Sequence, residues 1–318
     1  IPSIRTIEAD RIAAIPEDVD IFVVDDSDGS IRPSRDRMKV FTYADQRELM
    51  GKDYDLIPHK TAACRNFAFY YVYRHTDHDV VITLDDDVFC PPDFMASYSV
   101  VGTDGEFPNV TVEGDGWYNT IAHMGVRGSK GETLYPRGFP YWLRHPLAET
   151  RSRVRGRVTC IMGLWSNVLD YDGLDKYLFE DYRALRQEVA LGEPLLTVGT
   201  PARPTKFSFC AMNFAFHRDM LPAAYQMPMD REIAPGYPIW RFDDIWAGFV
   251  IEALHELYAP HLEHHGTSAP HDHGHDHGHD HEHDHSRGAT HSHDHRPYRE
   301  IRALLERSRL GEGVKRRA

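Results

Sequence analysis

Two short β-branched runs, each followed by several aspartates, dominate the hydrophobic pattern of the chain. They span residues 20–24 (DIFVV) and 80–84 (VVITL), and apolar runs of this length are typical of buried strands. Open α/β sheets bind their ligands at the carboxyl ends of strands, which is where the aspartates fall. The pattern predicts a binding site built from the acids that follow the two runs, namely Asp25, Asp26, Asp28, Asp85, Asp86 and Asp87.

Helical patterns lie between and after these strands. Residues 8–14 form a short candidate helix, and residues 61–74 carry enough aromatic bulk for a packed one. Residues 243–257 have apolar positions at helical spacing. The order strand, helix, strand predicts an α/β fold with a mixed, mainly parallel central sheet.

Three further segments complete this outline. Residues 1–5 resemble the end of a strand whose first half is absent, so we expect a truncated N-terminus. Residues 207–216 predict another buried strand region. Between residues 90 and 137, proline, glycine and asparagine are frequent and periodicity is weak. We expect that stretch to form long loops that shape a pocket.

Composition excludes some classes of protein. The formal net charge of −13 argues against a nucleic-acid-binding surface, which needs a basic stripe. No apolar stretch approaches the roughly 20 residues that span a bilayer, and no secretory signal is visible. Widely spaced cysteines without a CxxC pair predict reduced thiols in a cytoplasmic protein. These cysteines are Cys64, Cys90, Cys160 and Cys210.

A change of composition near residue 260 predicts three parts. Residues 1–260 form the main domain, and residues 296–318 form a short amphipathic helix with a basic tail. Residues 261–295 contain HDHGHDHGHDHEHDH, a low-complexity insertion that has nothing to bury and is predicted to be disordered when metal-free. Histidine is a common transition-metal ligand, so we expect this insertion to bind Zn²⁺ or Ni²⁺.

The aspartate triplet has the clearest candidate chemistry. Side chains alternate along an extended backbone, so Asp85 and Asp87 are expected on one side and Asp86 on another. Two converging carboxylates suit Mg²⁺ or Mn²⁺, which would hold a diphosphate. A solvated acidic turn and a Ca²⁺-type loop are the alternatives. Asp243 and Asp244 open a predicted helix, where capping alone would also favour negative charge.

Six ordered segments resemble the reversibly glycosylated polypeptides of plants, the UDP-arabinopyranose mutases, and their bacterial relatives. The segments are KTAACRNFAFYY (60–71), ITLDDDVF (82–89), YPRGFPYWLR (135–144), GLWSNVLDYD (163–172), FCAMNFAFHRDM (209–220) and PIWRFDDIWAGF (238–249). The resemblance implies a nucleotide-diphospho-sugar transferase (GT-A-like) fold. It also implies a metal on the triplet, a UDP-sugar in the strand-end crevice and a homo-oligomer.

The resemblance implies that an arginine becomes glycosylated, and Arg137 matches it. Arg144 matches a second arginine needed for activity, and neutralising a diphosphate is the alternative role for both. A guanidinium is protonated at ordinary pH and is a poor nucleophile. We therefore expect Asp243 and Asp244 opposite the sugar, as base or as partner of an oxocarbenium-like charge.

Other positions that match the family are expected to contact the nucleotide, the sugar or the metal. Carboxylates that bind uridine, ribose or the nucleotide are expected at Asp25, Asp26 and Asp86. Lys60 and Arg65 would neutralise phosphate, unless they lie on a surface helix face. Trp165 would stack on the sugar or fill the core. Sugar hydroxyls would bind Asp172 and Asn213, which could equally cap turns. A histidine, matched most directly by His291, would complete the metal shell.

Three hypotheses of function follow. The first is a metal-dependent mutase that interconverts UDP-arabinopyranose and UDP-arabinofuranose, or a similar UDP-pentose, with self-glycosylation on arginine. The second is a glycosyltransferase that moves the sugar to a separate acceptor. The third is a metal-storage protein on an inactive enzyme scaffold, and it rests on the histidine tract alone.

Overall fold

The computed structural model describes residues 1–27, 29–113, 116–127, 133–145, 147–167, 170–178, 186–189, 196–199, 205–229, 232–235, 237–238 and 242–265. In this part of the chain the structure is mixed α/β, as predicted. Asp28, His291, the histidine repeat and the predicted C-terminal helix lie outside the described residues. None of the described helices is long and apolar enough to cross a membrane.

The described strands and helices follow in chain order. The strands are β1 (Pro2–Ser3), β2 (Ile21–Asp25), β3 (Met38–Phe41), β4 (Val80–Leu84), β5 (Asp104–Val112), β6 (Met124–Arg127), β7 (Glu149–Arg157), β8 (Cys160–Met162), β9 (Arg186–Val189), β10 (Thr197–Val198), β11 (Asn213–His217), β12 (Glu232–Ala234) and β13 (Tyr237–Pro238). The α-helices are α1 (Tyr43–Met50), α2 (Asn66–His75), α3 (Gly173–Leu178) and α4 (Asp243–His265).

The strands pair in several small sheets. β1, β2 and β3 form a parallel sheet, whereas β11 lies between β4 and β8 and is antiparallel to both. β5 pairs in parallel with β10 and antiparallel with β7. β6 pairs antiparallel with β9, and β12 with β13. The prediction of a mainly parallel sheet is therefore wrong for the described strands, because a β-branched run predicts a strand but not its partner.

The two strands that end in aspartates share one core. Val23 of β2, Leu84 of β4 and Ala215 of β11 belong to the same buried cluster. Ser3 joins the two strand ends, since its carbonyl accepts from the amide of Asp26 at 2.8 Å and its Oγ donates to Asp86 at 2.7 Å. Asp26 and Asp86 therefore lie at the same residue, as their positions after the two strands predicted.

Several predicted elements have different bounds. Residues 8–14 contain only a 3₁₀ turn at Ala9–Ile12. The predicted helix at 61–74 begins as a 3₁₀ turn at Ala62–Arg65 and becomes α-helical only at Asn66. The prediction of loops between residues 90 and 137 is wrong in part, because β5 and β6 lie there. Gly105 and Pro108 interrupt the β-branched pattern of β5, and both residues weaken a strand prediction.

Helix α4 begins at Asp243, as predicted, and packs closely on the segment before β11. A Cβ on Gly248 would lie 2.6 Å from Cβ of Phe209, so no larger residue fits there without movement. Ile251, one turn further along, is buried in the same cluster as Phe209. This packing holds the first turn of α4, with its two aspartates, against the residues that precede β11.

Candidate functional site

Arg137 lies at the centre of a partly buried ionic cluster. Its Nε and Nη2 each donate to the carboxylate of Asp170 at 3.1 Å, and Nη2 also donates to Asp244 Oδ2 at 2.7 Å. The Arg137 side chain keeps 22% of its exposure. The side-by-side contact with Asp170 is the geometry in which arginine binds carboxylates most specifically. The cluster therefore fixes both the position and the plane of the guanidinium group.

The local backbone places Arg137 against α4. The Arg137 amide donates to the carbonyl of Asp170 at 3.3 Å. Gly138 follows with φ +88°, in the left-handed region that favours glycine. A Cβ on Gly138 would also lie 2.8 Å from Cδ1 of Ile245 on α4. Glycine at this position lets the turn that carries Arg137 approach the helix that carries Asp244.

Charge and burial perturb the titrating groups of this cluster. Burial disfavours the charge of Arg137, but the attraction of Asp244 and Asp170 is larger in sum and raises its pKa. Burial, followed by repulsion from Asp244, raises the pKa of Asp243. Burial also raises the pKa of the Cys210 thiol well above its usual range. Arg137 is therefore a firmly protonated cation beside a carboxyl group that ionises reluctantly.

A second ion pair joins Arg65 to the aspartate triplet. Arg65 Nη2 donates to Asp85 Oδ1 at 2.6 Å, and Nη1 donates to Thr83 Oγ1 and to the carbonyl of Ala211, each at 3.0 Å. Arg65 is 5% exposed. The alternative that it lies on a surface helix face is therefore wrong, and its guanidinium instead orients Asp85.

One residue, Ala211, connects the two ion pairs. The carbonyl of Ala211 accepts from Arg65, and the amide of Ala211 donates to Asp244 Oδ2 at 3.3 Å. The next carbonyl, that of Met212, accepts from the amide of Asp85 at 3.1 Å. The structure thus brings the predicted metal residue Asp85 and the predicted sugar residue Arg137 to the same short segment.

The side chains of the triplet have different partners. Asp86 Oδ2 accepts from Ser3, and Oδ1 accepts from Arg5 at 2.6 Å, so Asp86 faces β1, whereas Asp85 faces Arg65. Residues 86 and 87 lie in a turn, so the extended backbone on which the predicted alternation rested ends with β4 at Leu84. Asp85 keeps 37% of its side-chain exposure, and Asp87 is exposed. Carboxylate oxygens are the ligands that a hard divalent cation prefers, so Asp85 and Asp87 stay the predicted pair for Mg²⁺ or Mn²⁺.

Another set of ligand-type atoms converges at Arg137. In the described part of the chain, one carboxylate oxygen each of Asp170 and Asp244 and the sulfur of Cys210 lie within 4.8 Å of one another. The guanidinium of Arg137 already bonds both carboxylates. We therefore assign the positive charge at this point to arginine rather than to a metal ion.

Asp25 and Asp26 bind their own chain. Asp25 is fully buried, and its carboxylate accepts from the amide and hydroxyl of Ser27 and from the amide of Gly29. Asp26 accepts from the hydroxyl of Tyr43 and from the amide of Lys60. Both carboxylates shape the loops at the strand end. The Lys60 side chain is exposed.

Arg144 forms a separate cluster. It pairs with Asp172 at 2.7 Å and with Asp175 at 3.0 Å, and its guanidinium lies over the rings of Tyr135 and Tyr141. Burial opposes ionisation of Asp172, but bonds from Arg144 and from backbone amides outweigh it and lower its pKa. Asp172 also accepts from amides at the start of α3. Arg144 thus holds the α3 turn, and two carboxylates balance its charge.

Trp165 and Asn213 have different surroundings. Trp165 is half-buried and lines a small cavity together with Arg137 and Asp170, so it does not fill the core. Asn213 accepts a hydrogen bond from the hydroxyl of Tyr98 and is 9% exposed. Its partner is therefore a buried tyrosine and not a turn amide.

Sequence reasoning missed several residues of the site. Asp170 was visible only as part of the segment GLWSNVLDYD, with nothing to indicate that it pairs with Arg137. Asp175 could have been found from its place one turn into a helix after Asp172. Gln187 and Ser208 also line the cavity beside Arg137, and neither belongs to a recognisable pattern.

Comparison with known sequences identifies the family. The sequence model described as reversibly glycosylated polypeptide matches residues 14–260. That range is more than half of the chain and contains both ion pairs. The chain belongs to the reversibly glycosylated polypeptide family.

Members of this family from plants are its curated relatives. UDP-arabinopyranose mutase 2 of Arabidopsis thaliana is 28% identical over 239 residues, which cover 74% of this chain and 58% of the relative. Probable UDP-arabinopyranose mutase 1 of Pisum sativum is 26% identical over 260 residues, which cover 80% and 64%. UDP-arabinopyranose mutase 1 of Oryza sativa subsp. japonica is 28% identical over 219 residues, which cover 68% and 52%. The chain therefore spans between about half and two thirds of these relatives.

Proposed function

We propose that this chain binds a UDP-sugar and interconverts the pyranose and furanose forms of its pentose, with UDP-arabinose as the first candidate. The observation that carries the proposal is the placement of Arg137 between Asp170 and Asp244, with Ala211 bonding both Asp244 and the Arg65 of the Arg65–Asp85 pair. The names of the plant relatives supply the reaction. The proposal includes a nucleotide-diphospho-sugar transferase arrangement, with the diphosphate near Asp85 and the sugar near Arg137.

Charge balance supports a divalent cation in this reaction. The linked ion pairs combine three carboxylates, Asp85, Asp170 and Asp244, with only two guanidinium groups, Arg65 and Arg137. A diphosphate would add further negative charge, which is unfavourable unless positive charge enters with it. Mg²⁺ or Mn²⁺ held by Asp85 and Asp87 would neutralise the diphosphate and help it to leave.

The protein's own residues then handle the sugar. As the bond between the anomeric carbon and the diphosphate oxygen breaks, UDP takes the electron pair and the carbon becomes cationic. Arg137 forms a bond to that carbon through a guanidinium nitrogen and passes the displaced proton to Asp244, whose Oδ2 lies 2.7 Å from Nη2. Because the pKa of Arg137 is raised, the attack follows development of the cation. Ring opening and closure through another hydroxyl change the ring form of the bound sugar. A diphosphate oxygen of UDP then forms a bond to the anomeric carbon as the carbon–nitrogen bond to Arg137 breaks, and Asp244 returns the proton to the guanidinium group.

Product analysis tests the proposal. Protein incubated with UDP-arabinopyranose and Mn²⁺, without acceptor, should produce UDP-arabinofuranose, which chromatography separates from the substrate. Arg137→Ala should abolish this activity and the incorporation of labelled sugar into the protein, while the affinity for UDP changes less than about threefold. Arg153→Ala is the matched control, because Arg153 also pairs with an acid, Glu106, but is exposed on β7.

Two results would count against the proposal. Label that persists on the Arg137→Ala protein would exclude the covalent route through this arginine. Free UDP that appears only when a sugar acceptor is added would favour the second candidate, a transferase that uses the same donor site.

A further inference from the structure

The cavity beside Arg137 contains hydrogen-bonding capacity that the protein does not use. Ser208 and Gln187 line it together with Arg137, Asp170 and Trp165. Among the described residues, neither Ser208 Oγ nor Gln187 Oε1 has a hydrogen-bond partner, although both atoms are buried. Buried polar atoms in native proteins are nearly always satisfied, by protein, by water or by a ligand. Two such atoms in one cavity therefore point to a polar group that enters it.

The orientation of Gln187 defines what that group must offer. Gln187 is 1% exposed, and its Nε2 donates to the carbonyl of Trp165 at 2.7 Å. This bond fixes the orientation of the amide, and Oε1 is the amide atom without a hydrogen-bond partner among the described residues. Oε1 can only accept a hydrogen bond. A phosphate oxygen without a proton cannot satisfy it, whereas a hydroxyl group can.

Ser208 places a second polar atom near the reactive arginine. Ser208 is 3% exposed, and its Oγ would lie 3.2 Å from a Cβ added to Gly138, the residue after Arg137. A serine hydroxyl both donates and accepts. The pair of residues therefore matches a ligand that carries several hydroxyl groups and no charge of its own at this point.

We propose that Gln187 and Ser208 bind ring hydroxyls of the sugar, with Gln187 as acceptor and Ser208 as donor or acceptor, and so hold the sugar against Arg137. The proposal rests on the proposed function and adds the residues that recognise the sugar portion of the nucleotide. These residues position the substrate, since Arg137 and Asp244 make the reacting contacts. Discrimination between sugars follows, because a site that hydrogen-bonds a hydroxyl rejects an analogue that lacks it.

Calorimetry with two ligands separates sugar recognition from nucleotide recognition. Ser208→Ala and Gln187→Met should each weaken binding of UDP-arabinopyranose about tenfold, which is the effect of one lost hydrogen bond to a buried group. The same variants should bind UDP within about twofold of the unsubstituted protein. Gln226→Met is the matched control, because Gln226 is 2% exposed and also has a partnerless Oε1, but it does not line the cavity. This control should leave both affinities unchanged.

The midpoint of thermal unfolding without ligand tests whether Ser208 serves the fold instead of the sugar. Ser208→Ala removes a polar atom without a partner, so the midpoint of unfolding should stay the same or rise. A clear fall would show that Ser208 serves the fold and would overturn its part of the proposal. Equal losses of UDP and UDP-sugar affinity would overturn the sugar site while leaving the proposed function intact. Absence of any UDP-sugar binding by the unsubstituted protein would overturn both.

Discussion

The carboxylates of the site differ in the hydrogen bonds that they accept. Asp244 Oδ2 accepts hydrogen bonds from the Arg137 guanidinium and from the amide of Ala211. Its Oδ1 accepts one from the amide of Ile245. Its neighbour Asp243 is equally buried, but burial raises its pKa. Two adjacent acids of one helix turn therefore have different surroundings: Asp244 bonds a cation and two backbone amides, whereas burial and the charge of Asp244 raise the pKa of Asp243.

Asp243→Asn should stabilise the protein at neutral pH. A carboxyl group whose pKa is raised on folding binds more protons in the folded state than in the unfolded state. Stability therefore falls as pH rises from the unfolded pKa of about 3.9 through the folded pKa. The substitution removes this fall, so the midpoint of thermal unfolding at pH 7 should rise and the pH dependence between pH 4 and 7 should flatten.

The neighbouring substitution is the control. Asp244→Asn should lower the unfolding free energy by about 1 to 3 kcal/mol, because Arg137 would lose a charged partner while still buried. If Asp243→Asn lowered stability by a similar amount, the assignment of a reluctantly ionised Asp243 would be wrong.

Asp87→Ala should weaken Mn²⁺-dependent binding of UDP more than tenfold, since it removes one of two accessible carboxylates from the proposed cation site. Asp86→Ala should have less than a threefold effect, because Asp86 bonds Ser3 and Arg5 instead. Calorimetric titration of UDP with and without Mn²⁺ measures both. Equal losses in the two variants would refute a site that involves Asp85 and Asp87 but not Asp86.

Individual residues were only partly predictable. The start of a helix at Asp243 and the acids after β4 are local features, so sequence patterns located them. The bond from Asp170 to Arg137 joins residues far apart in the chain, and no local pattern encodes it. Asp25 was misleading for a related reason, because an aspartate after a strand can bind a ligand or close its own turn, as it does here.

At the scale of elements, the site depends on how closely α4 approaches the segment before β11. Gly248 allows this approach, because a Cβ there would lie 2.6 Å from Cβ of Phe209. The same helix carries Asp244 to Arg137 and to the amide of Ala211. A displacement of α4 would therefore weaken the ion pair as well as the core.

Gly248→Ala should lower the unfolding free energy by about 1 to 3 kcal/mol, despite the better helix propensity of alanine, because the new methyl group overpacks the contact with Phe209. Gly173→Ala is the matched control, since a Cβ at Gly173, in α3, meets nothing within 4 Å. Denaturant unfolding measures both. An unchanged or increased stability of Gly248→Ala would show that the helix can move aside without cost.

The elements themselves were better predicted than their arrangement. Periodicity located β4 and the start of α4, since both signals are local. It missed β3 and α1, although Thr42 and Asp45 form a capping box at the start of α1. The antiparallel pairing of β11 with β4 and β8 connects distant segments, and no strand pattern specifies such a partner.

At the scale of the whole molecule, the cysteines confirm the prediction of unpaired thiols. All four are free, and three of them are buried. Burial raises the pKa of Cys64 to about 12, that of Cys90 to about 11 and that of Cys160 to about 12. The thiolate is the reactive form, so these side chains are chemically inert in the folded protein.

The folded protein should therefore resist alkylation. At pH 8, iodoacetamide should label the native protein at least about tenfold more slowly than the protein unfolded in guanidinium chloride, because thiolate is scarce and access is blocked. Mass spectrometry after timed quenching counts the modified thiols. Rapid labelling of Cys64 or Cys90 in the native protein would contradict the burial described here.

Ala211 has a consequence for how the two ion pairs respond to change. Its carbonyl accepts from Arg65 and its amide donates to Asp244, so a shift of this one residue alters both bonds. Damage at the Arg65–Asp85 pair should therefore also weaken the contacts of Asp244. The energetic penalties of altering Arg65 and Asp244 together will not equal the sum of the separate penalties.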